Sequence, residues 1–115
     1  MSLLTKKKGI SSEAFKEHYE SVHVPLINSI APYYTVYRRN YIEQNSNLHA
    51  AGTTPKFDVV SECWFATRED AKKFMDAIKL KENREKITAD EEHFLDREAV
   101  QFFVVNPCGG EFKSS

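Results

Sequence analysis

The stretch Phe57-Asp-Val-Val-Ser-Glu-Cys-Trp-Phe65 decides the fold, because its aromatic and β-branched residues are typical of a strand. Side chains alternate between the two sides of a strand. One face therefore carries Phe57, Val59, Cys63 and Phe65, and the other carries Asp58, Val60, Glu62 and Trp64. Both faces contain apolar or aromatic groups, so we expect this strand to make contacts on both sides of a sheet.

The residues before this strand predict a loop, another strand and a long helix. Residues 43–56 are polar and contain Gly and Pro, which predicts a loop, and residues 33–42 are aromatic and β-branched, which predicts a strand. A helix from Glu13 is indicated by apolar or aromatic residues at helical spacing, with Ser11 or Ser12 as its cap. These residues are Phe15, Tyr19, Val22, Leu26 and Ile30. Pro25 should kink or interrupt this helix, and residues 2–8 could form an edge strand.

The residues after the strand predict two helical segments and a last strand. Thr67-Arg-Glu-Asp70 is a capping pattern, and it opens a helix with Phe74 on its apolar face. Residues 79–86 are charged and indicate a solvated turn or a helical extension, and Thr88 is expected to cap a short helix through Leu95. Residues 99–105 are the most apolar strand, so we expect them at the centre of the sheet.

The element order β-α-β-β-α-β predicts an α+β, ferredoxin-like sandwich, an antiparallel sheet with its helices on one face. We expect residues 1–105 to form this domain and residues 106–115 to be a C-terminal tail. The helices leave one apolar sheet face bare. Such a face is normally buried against a second copy, so we expect a homodimer through the open face.

Composition excludes several functional classes. The 115 residues include 16 basic and 17 acidic ones, a net charge of −1 that argues against a nucleic-acid partner. No apolar run approaches the ~20 residues of a membrane span, and the N-terminal charges follow the apolar residues, the wrong order for a secretory signal. Cys63 and Cys108 form no disulfide framework. We therefore expect a cytoplasmic protein without a membrane partner.

His23 is the best candidate for chemistry. It follows Tyr19 by four residues and Phe15 by eight, so it should share their helix face and point at the sheet. Pro25 would leave the imidazole at a cavity edge, and histidine suits proton transfer near neutral pH. A lone histidine on an apolar face is nevertheless more often a satisfied core residue, and that alternative holds for His18 with more weight.

Other polar and aromatic residues could line the same cavity. If their strand face meets the helices, Asp58, Glu62 and Trp64 line the cleft; otherwise Asp58 caps a loop, and Glu62 pairs with Arg38 or Arg39. The tyrosines of the first long strand could stack on a flat ligand, or belong to the core or an interface. The segment from Thr88 could place Asp90 and His93 at the rim, or serve only to cap a helix.

Cofactor and metal signatures are missing from the sequence. It contains no GxGxxG, P-loop, CxxC or HExxH pattern, and His18 and His23 are five residues apart, a poor spacing for joint metal ligation. Nothing indicates a Ser or Cys nucleophile with a dedicated base. We therefore expect no cofactor and no metal, and either proton transfer or simple binding.

Three segments in this order resemble EthD-domain proteins of the dimeric α/β-barrel superfamily. They are Phe15-Lys-Glu-His-Tyr-Glu-Ser-Val-His-Val-Pro-Leu26, Phe57-Asp-Val-Val-Ser-Glu-Cys-Trp-Phe65 and Ala89-Asp-Glu-Glu-His-Phe-Leu-Asp96. The resemblance covers roughly residues 3–105 and implies a ligand cavity between helices and sheet. Chains of this length resemble tailoring enzymes of fungal polyketide pathways, including decarboxylases. It therefore implies a cofactor-free lyase or cyclase acting on an aromatic polyketide.

On this hypothesis His23 is the general base or acid, Asp58 orients it or shares its proton, and Asp90 is a second acid at the rim. Six further residues are expected to contact the substrate. Trp64 and Tyr34 would stack on it, Arg38 would pair with a carboxylate or enolate, and Glu62, His93 and Phe94 would complete the pocket. The alternatives are a cofactor-independent monooxygenase on a similar substrate and a non-catalytic binding or stress-response module.

Overall fold

The computed structural model describes residues 1–106, and its elements follow the predicted order. The strands are β1 (Ser2–Leu4), β2 (Val36–Tyr41), β3 (Val59–Trp64) and β4 (Gln101–Phe102). The helices are α1 (Ser12–His18), α2 (Val24–Ile30), α3 (Arg68–Lys79) and α4 (Lys81–Phe94), with a π turn at Tyr19–His23 and a 3₁₀ turn at Arg97–Ala99. Most of the predicted tail, with Cys108, lies outside the described residues.

The four strands form one antiparallel sheet in the order β2-β3-β1-β4, which confirms the α+β prediction and is consistent with a ferredoxin-like fold. Two strand positions were predicted wrongly. The first strand, β1, is not an edge strand but pairs with both β3 and β4, and the last strand is not central but forms an edge. The central position was predicted from the apolar residues of this segment, but Phe102 and Val104 are 53% and 89% exposed.

The first helix continues past Pro25 by way of the π turn. Ser11 caps α1, since its Oγ accepts a hydrogen bond from the backbone N–H of Ala14 at 3.0 Å. Proline has no N–H to donate, and the ladder is rearranged just before it: Val24 N–H reaches back five residues to the carbonyl of Tyr19. At the predicted interruption the helix therefore continues through a π turn, which is wider than a turn of α-helix.

In the second half of the chain, helix α4 is longer than predicted. Thr67 caps α3 as expected, with its Oγ1 accepting from Asp70 N–H at 3.0 Å. Thr88, however, lies inside α4, so the prediction that it caps a short helix is wrong. The charged residues 79–86 belong mostly to this helix. Its continuity puts Ile87, Asp90 and Phe94 on one buried face.

The helices cover only one face of the sheet. On that face Val59 and Ser61 of β3 are buried, and Val59 packs with the helix residues Phe15, Tyr19 and Phe94. The neighbouring residues Glu62 and Trp64 of β3 point the other way. As the strand register shows, the open face consists of Leu3, Val36, Arg38, Asn40, Val60, Glu62, Trp64 and Gln101. No helix among residues 1–106 is long and apolar enough to span a membrane.

Candidate active site

His23 lies at the end of the π turn and faces a hollow between the helices and the sheet. The side chain is 6% exposed and lines a cavity of about 280 Å³. Most of the other lining is apolar, including Leu4, Ile27, Phe74, Met75 and Leu95. The imidazole is therefore neither turned out to bulk solvent nor sealed without a void beside it.

Asp90 of α4 holds the imidazole of His23. Its Oδ2 lies 2.8 Å from Nδ1 of His23, and its Oδ1 lies 2.7 Å from Nε2 of His18. Asp90 is 8% exposed, so one buried carboxylate bridges two histidines. The histidines come from α1 and the π turn, which means that this contact ties the first helix to α4.

The hydrogen bond to Asp90 fixes the orientation of the ring. A carboxylate only accepts, so Nδ1 of His23 carries the proton and Nε2 of the neutral ring has a free lone pair. Nε2 has no hydrogen bond to another described residue. Every buried side-chain nitrogen or oxygen among residues 1–106 has a hydrogen-bond partner, so Nε2 cannot be one of the fully buried atoms. Nε2 must therefore reach accessible space, and the cavity lined by His23 provides it.

Burial sets the basicity of His23. Its pKa is lowered from the ordinary 6.5, chiefly because the interior disfavours the charged ring, while the hydrogen bond and charge of Asp90 act in the opposite direction. The ring lies against Phe94, with centroids 5.1 Å apart, and edge-on to Tyr19 at 5.4 Å. His23 is thus held neutral near physiological pH, the state that a general base requires.

Other polar groups line the same cavity. The hydroxyl oxygens of Tyr19, Tyr37 and Ser61 meet on its wall. Glu91 of α4 also lines it, and burial raises the pKa of that carboxyl despite the nearby guanidinium of Arg97, whose Nε is 3.6 Å away. The cavity therefore combines an imidazole, a carboxyl of raised pKa and three hydroxyls in an apolar wall.

Asp58 does not accompany His23. One of its oxygens accepts from the backbone N–H of Lys6 at 2.8 Å and the other from Gln44 at 3.4 Å, which is the loop-capping alternative. Asp58 precedes the first residue of β3, and its side chain turns to the start of the chain rather than to the cavity. The expectation that Asp58 orients His23 is not met, because Asp90 makes that contact. Asp90 was expected at the rim of the cavity but lies buried in the core.

Arg38, Glu62 and Trp64 were predicted to contact the substrate, but they lie on the opposite face of the sheet from His23. Arg38 is paired in register with Glu62, whose carboxylate accepts from Asn40 at 2.8 Å. Trp64 is 42% exposed. Of the two alternatives left open by the sequence, the one in which this face meets the helices is therefore wrong, and with it the expectation that Glu62 and Trp64 line the His23 cavity. Glu62 and Trp64 do line a separate hollow of about 360 Å³ at the end of β3.

The three remaining predicted contacts lie near the site without lining the cavity. Tyr34 donates to Asn28 Oδ1 at 2.8 Å, and its ring packs against Tyr37. His93 is exposed and stacks on His18, with ring centroids 5.9 Å apart. Phe94 is fully buried, and its ring centroid lies 4.7 Å from that of His18 and 5.1 Å from that of His23.

Sequence reasoning missed several residues of the cavity. Ser61 and Glu91 were not considered as site residues, and Tyr19 was treated only as a mark of helical spacing. A signal for Ser61 existed, because a hydroxyl at the centre of an otherwise apolar strand face needs a buried partner. Within residues 1–106 no three His, Cys, Asp or Glu side chains are grouped as metal ligands would be.

Comparison with models of protein families identifies the family of this chain. Residues 7–98 match the model of the EthD domain family, a stretch that begins after β1, ends in the 3₁₀ turn and includes His18, His23 and Asp90. No curated protein matches the chain.

Proposed function

The chain belongs to the EthD domain family, and from that premise and the geometry of His23 we propose that it is a cofactor-free proton-transfer enzyme, a lyase or cyclase. The observation that carries the proposal is the Asp90–His23 pair, with Nε2 of the neutral ring open to a mostly apolar cavity. His23 is the general base, and Asp90 is the positioning residue that fixes its tautomer.

A β-keto acid illustrates how this pair would work. Nε2 of His23 takes the proton of the substrate's carboxylic acid. The bond to the carboxyl carbon then breaks, CO₂ leaves, and the electron pair forms an enolate. The imidazolium finally returns its proton to the carbon, so that acid becomes ketone plus CO₂ with no oxidant or cofactor. Dehydration and aldol closure begin with the same base removing a proton beside a carbonyl.

The cavity favours a small, planar and largely apolar carbonyl compound. Its volume of about 280 Å³ is near the lower end of small-molecule sites, and aromatic and aliphatic side chains supply most of its surface. An aromatic polyketide intermediate with a β-keto or polyphenolic ring combines these properties with acidic protons. We propose this class as the substrate.

We also propose that a second copy of the chain covers the open face. Val36 and Trp64 are partly exposed there and form an apolar patch. Arg38 and Glu62 add one charge of each sign on the same face. Such a face is complementary to itself under two-fold symmetry, because the arginine of one copy can meet the glutamate of the other. Sedimentation velocity tests this, and a monomer at all concentrations would contradict it.

Two probe reactions test the catalytic proposal without knowledge of the natural substrate. They are exchange of the α-protons of 2-tetralone with D₂O, followed by NMR, and release of CO₂ from benzoylacetic acid. We expect the protein to accelerate both, with and without oxygen, and His23→Gln to lose roughly 10²–10⁴-fold of that acceleration.

The matched control is His49→Gln, which removes an imidazole from the loop between β2 and β3 and should leave both rates unchanged. Equal rates in the two variants would overturn the role of His23. A requirement for oxygen would replace the lyase or cyclase by a monooxygenase. No acceleration by the native chain would exclude catalysis on carbonyl compounds of this kind.

A further inference from the structure

Three hydroxyl groups from three different elements meet on the wall of the His23 cavity. Tyr19 from the π turn places its phenol oxygen 2.7 Å from Oγ of Ser61 in β3 and 2.9 Å from the phenol oxygen of Tyr37 in β2. All three residues line the cavity. Tyr19 and Ser61 are only 1% and 4% exposed, so the cluster has been removed from bulk water.

A count of protons shows what this cluster lacks. Each hydroxyl has one hydrogen to donate, and the cluster therefore holds three. Only two hydrogen bonds join its members, and none of the three oxygens has another partner among the described residues. Whichever way the two bonds run, one O–H is left without an acceptor. Buried donors normally find acceptors, so the site is built for one that comes from outside the protein.

The protein keeps these groups as donors. Burial raises the pKa of Tyr19 and, more strongly, that of Tyr37, so both phenols stay protonated throughout the physiological range. The guanidinium of Arg39 lies 4.9 Å from the ring centre of Tyr37, but it is paired with Glu20 and leaves the hydroxyl free. The cluster therefore offers a neutral, preorganised O–H rather than a fixed charge.

We propose that the hydroxyl cluster of Tyr19, Tyr37 and Ser61 binds the carbonyl oxygen of the substrate and stabilises it as it becomes an enolate oxygen. The ring of Tyr19 lies edge-on to the ring of His23, which places donor and base beside the same void. When the base removes a proton next to a carbonyl, the C–H electron pair forms the C=C bond and the carbonyl π pair moves to oxygen. The free O–H then donates to that oxygen.

The inference deepens the proposed function, on which it rests for the class of ligand, but it can be tested by equilibrium binding alone. The probe is 4-nitrophenolate, which presents an aromatic oxyanion, and nitrobenzene is the matched ligand without that oxygen. We expect the phenolate to bind roughly ten- to a hundredfold more tightly than nitrobenzene, the range of a hydrogen bond to a charged group.

The decisive variant removes all three hydroxyls together: Tyr19→Phe, Tyr37→Phe and Ser61→Ala. It keeps both rings and leaves no cluster member unpaired, so folding should survive. We expect it to bind the two ligands alike. Tyr33→Phe, which removes a hydroxyl from outside the cavity, should keep the native preference. A triple variant that still prefers the phenolate would overturn the proposal.

A measurement on the native chain makes the test independent of the variant's folding. With ¹³C at the ζ carbon of tyrosine, 4-nitrophenolate should shift the resonance of Tyr19 or Tyr37, whereas nitrobenzene should leave both resonances nearly in place. Equal shifts with the two ligands would count against an oxygen subsite. Loss of carbonyl turnover in His23→Gln with phenolate binding intact would separate the base from the cluster.

Discussion

The two faces of β2 and β3 both carry polar residues but place them in different surroundings. Tyr37 and Ser61 point to the helices, where they are hydrogen-bonded to Tyr19 and withdrawn from water. One residue further along each strand, Arg38 and Glu62 point to the open side, where Arg38 is exposed and Glu62 is half-buried. On the covered face, where the helices exclude water, burial raises the pKa of Tyr37, and it is there that we propose acid–base chemistry. On the open face we propose association with a second copy.

The largest effect should separate two aspartates. Asp90→Asn should lower the rate of benzoylacetic acid decarboxylation roughly 10³-fold, because an amide no longer holds His23 in the tautomer with a free Nε2. Asp58→Asn should leave the rate nearly unchanged, since an amide oxygen can still accept from Lys6 N–H. A merely structural Asp90 would reduce the amount of folded protein without moving the acid limb of the pH–rate profile, and we expect that limb to move.

A smaller effect should appear on the open face. If the proposed homodimer forms through this face, Trp64→Glu should weaken it about thirtyfold, the equivalent of about 2 kcal/mol for the loss of an aromatic contact. Leu48→Glu places the same charge in the loop before β3, where the leucine is 89% exposed, and should leave association unchanged. Sedimentation equilibrium measures both. If the two variants dimerise equally well, the open face is not the interface.

The smallest effect concerns stability and pH. Because the folded-state pKa of His23 lies below its ordinary 6.5, the unfolded chain binds more protons as the pH falls through and below that value. Acidification should therefore lower the stability of the native chain. In His23→Gln the fall in Tm on acidification should be smaller than in the native chain by a few degrees. Glu91 has a raised pKa and acts in the opposite sense as pH falls towards it, so the measured quantity is the difference between variant and native chain. A difference independent of pH would contradict this assignment.

The fold was predictable from the sequence because its signals are local. Helical spacing placed His23 on the buried side of the first helix, alternation separated the two faces of β3, and the hydroxyl of Thr67 marked the start of α3. Alternation does not say which face the helices cover, so Glu62 and Trp64 were assigned to the wrong side of the sheet. That choice depends on how distant elements pack.

The partner of His23 was not predictable for the same reason. Asp90 follows it by 67 residues and reaches it only because α4 is continuous through Thr88, which local capping rules read as a helix start. The hydroxyl cluster joins three elements in the same way. Long-range contacts of this kind leave no periodic trace in a single sequence.

The π turn at Tyr19–His23 sets the rotational phase of the first helix. Each residue of a helix advances the chain by about 100° around its axis. The extra residue of this turn therefore rotates the side chains of α2 around the helix axis relative to those of α1. The upstream part can thereby direct Phe15 into the aromatic core, while the downstream part directs Ile27 at α3 and α4. Deleting Ser21 or Val22, which lie in this turn but outside the site, would swing the imidazole away from its carboxylate while preserving every side chain of the site.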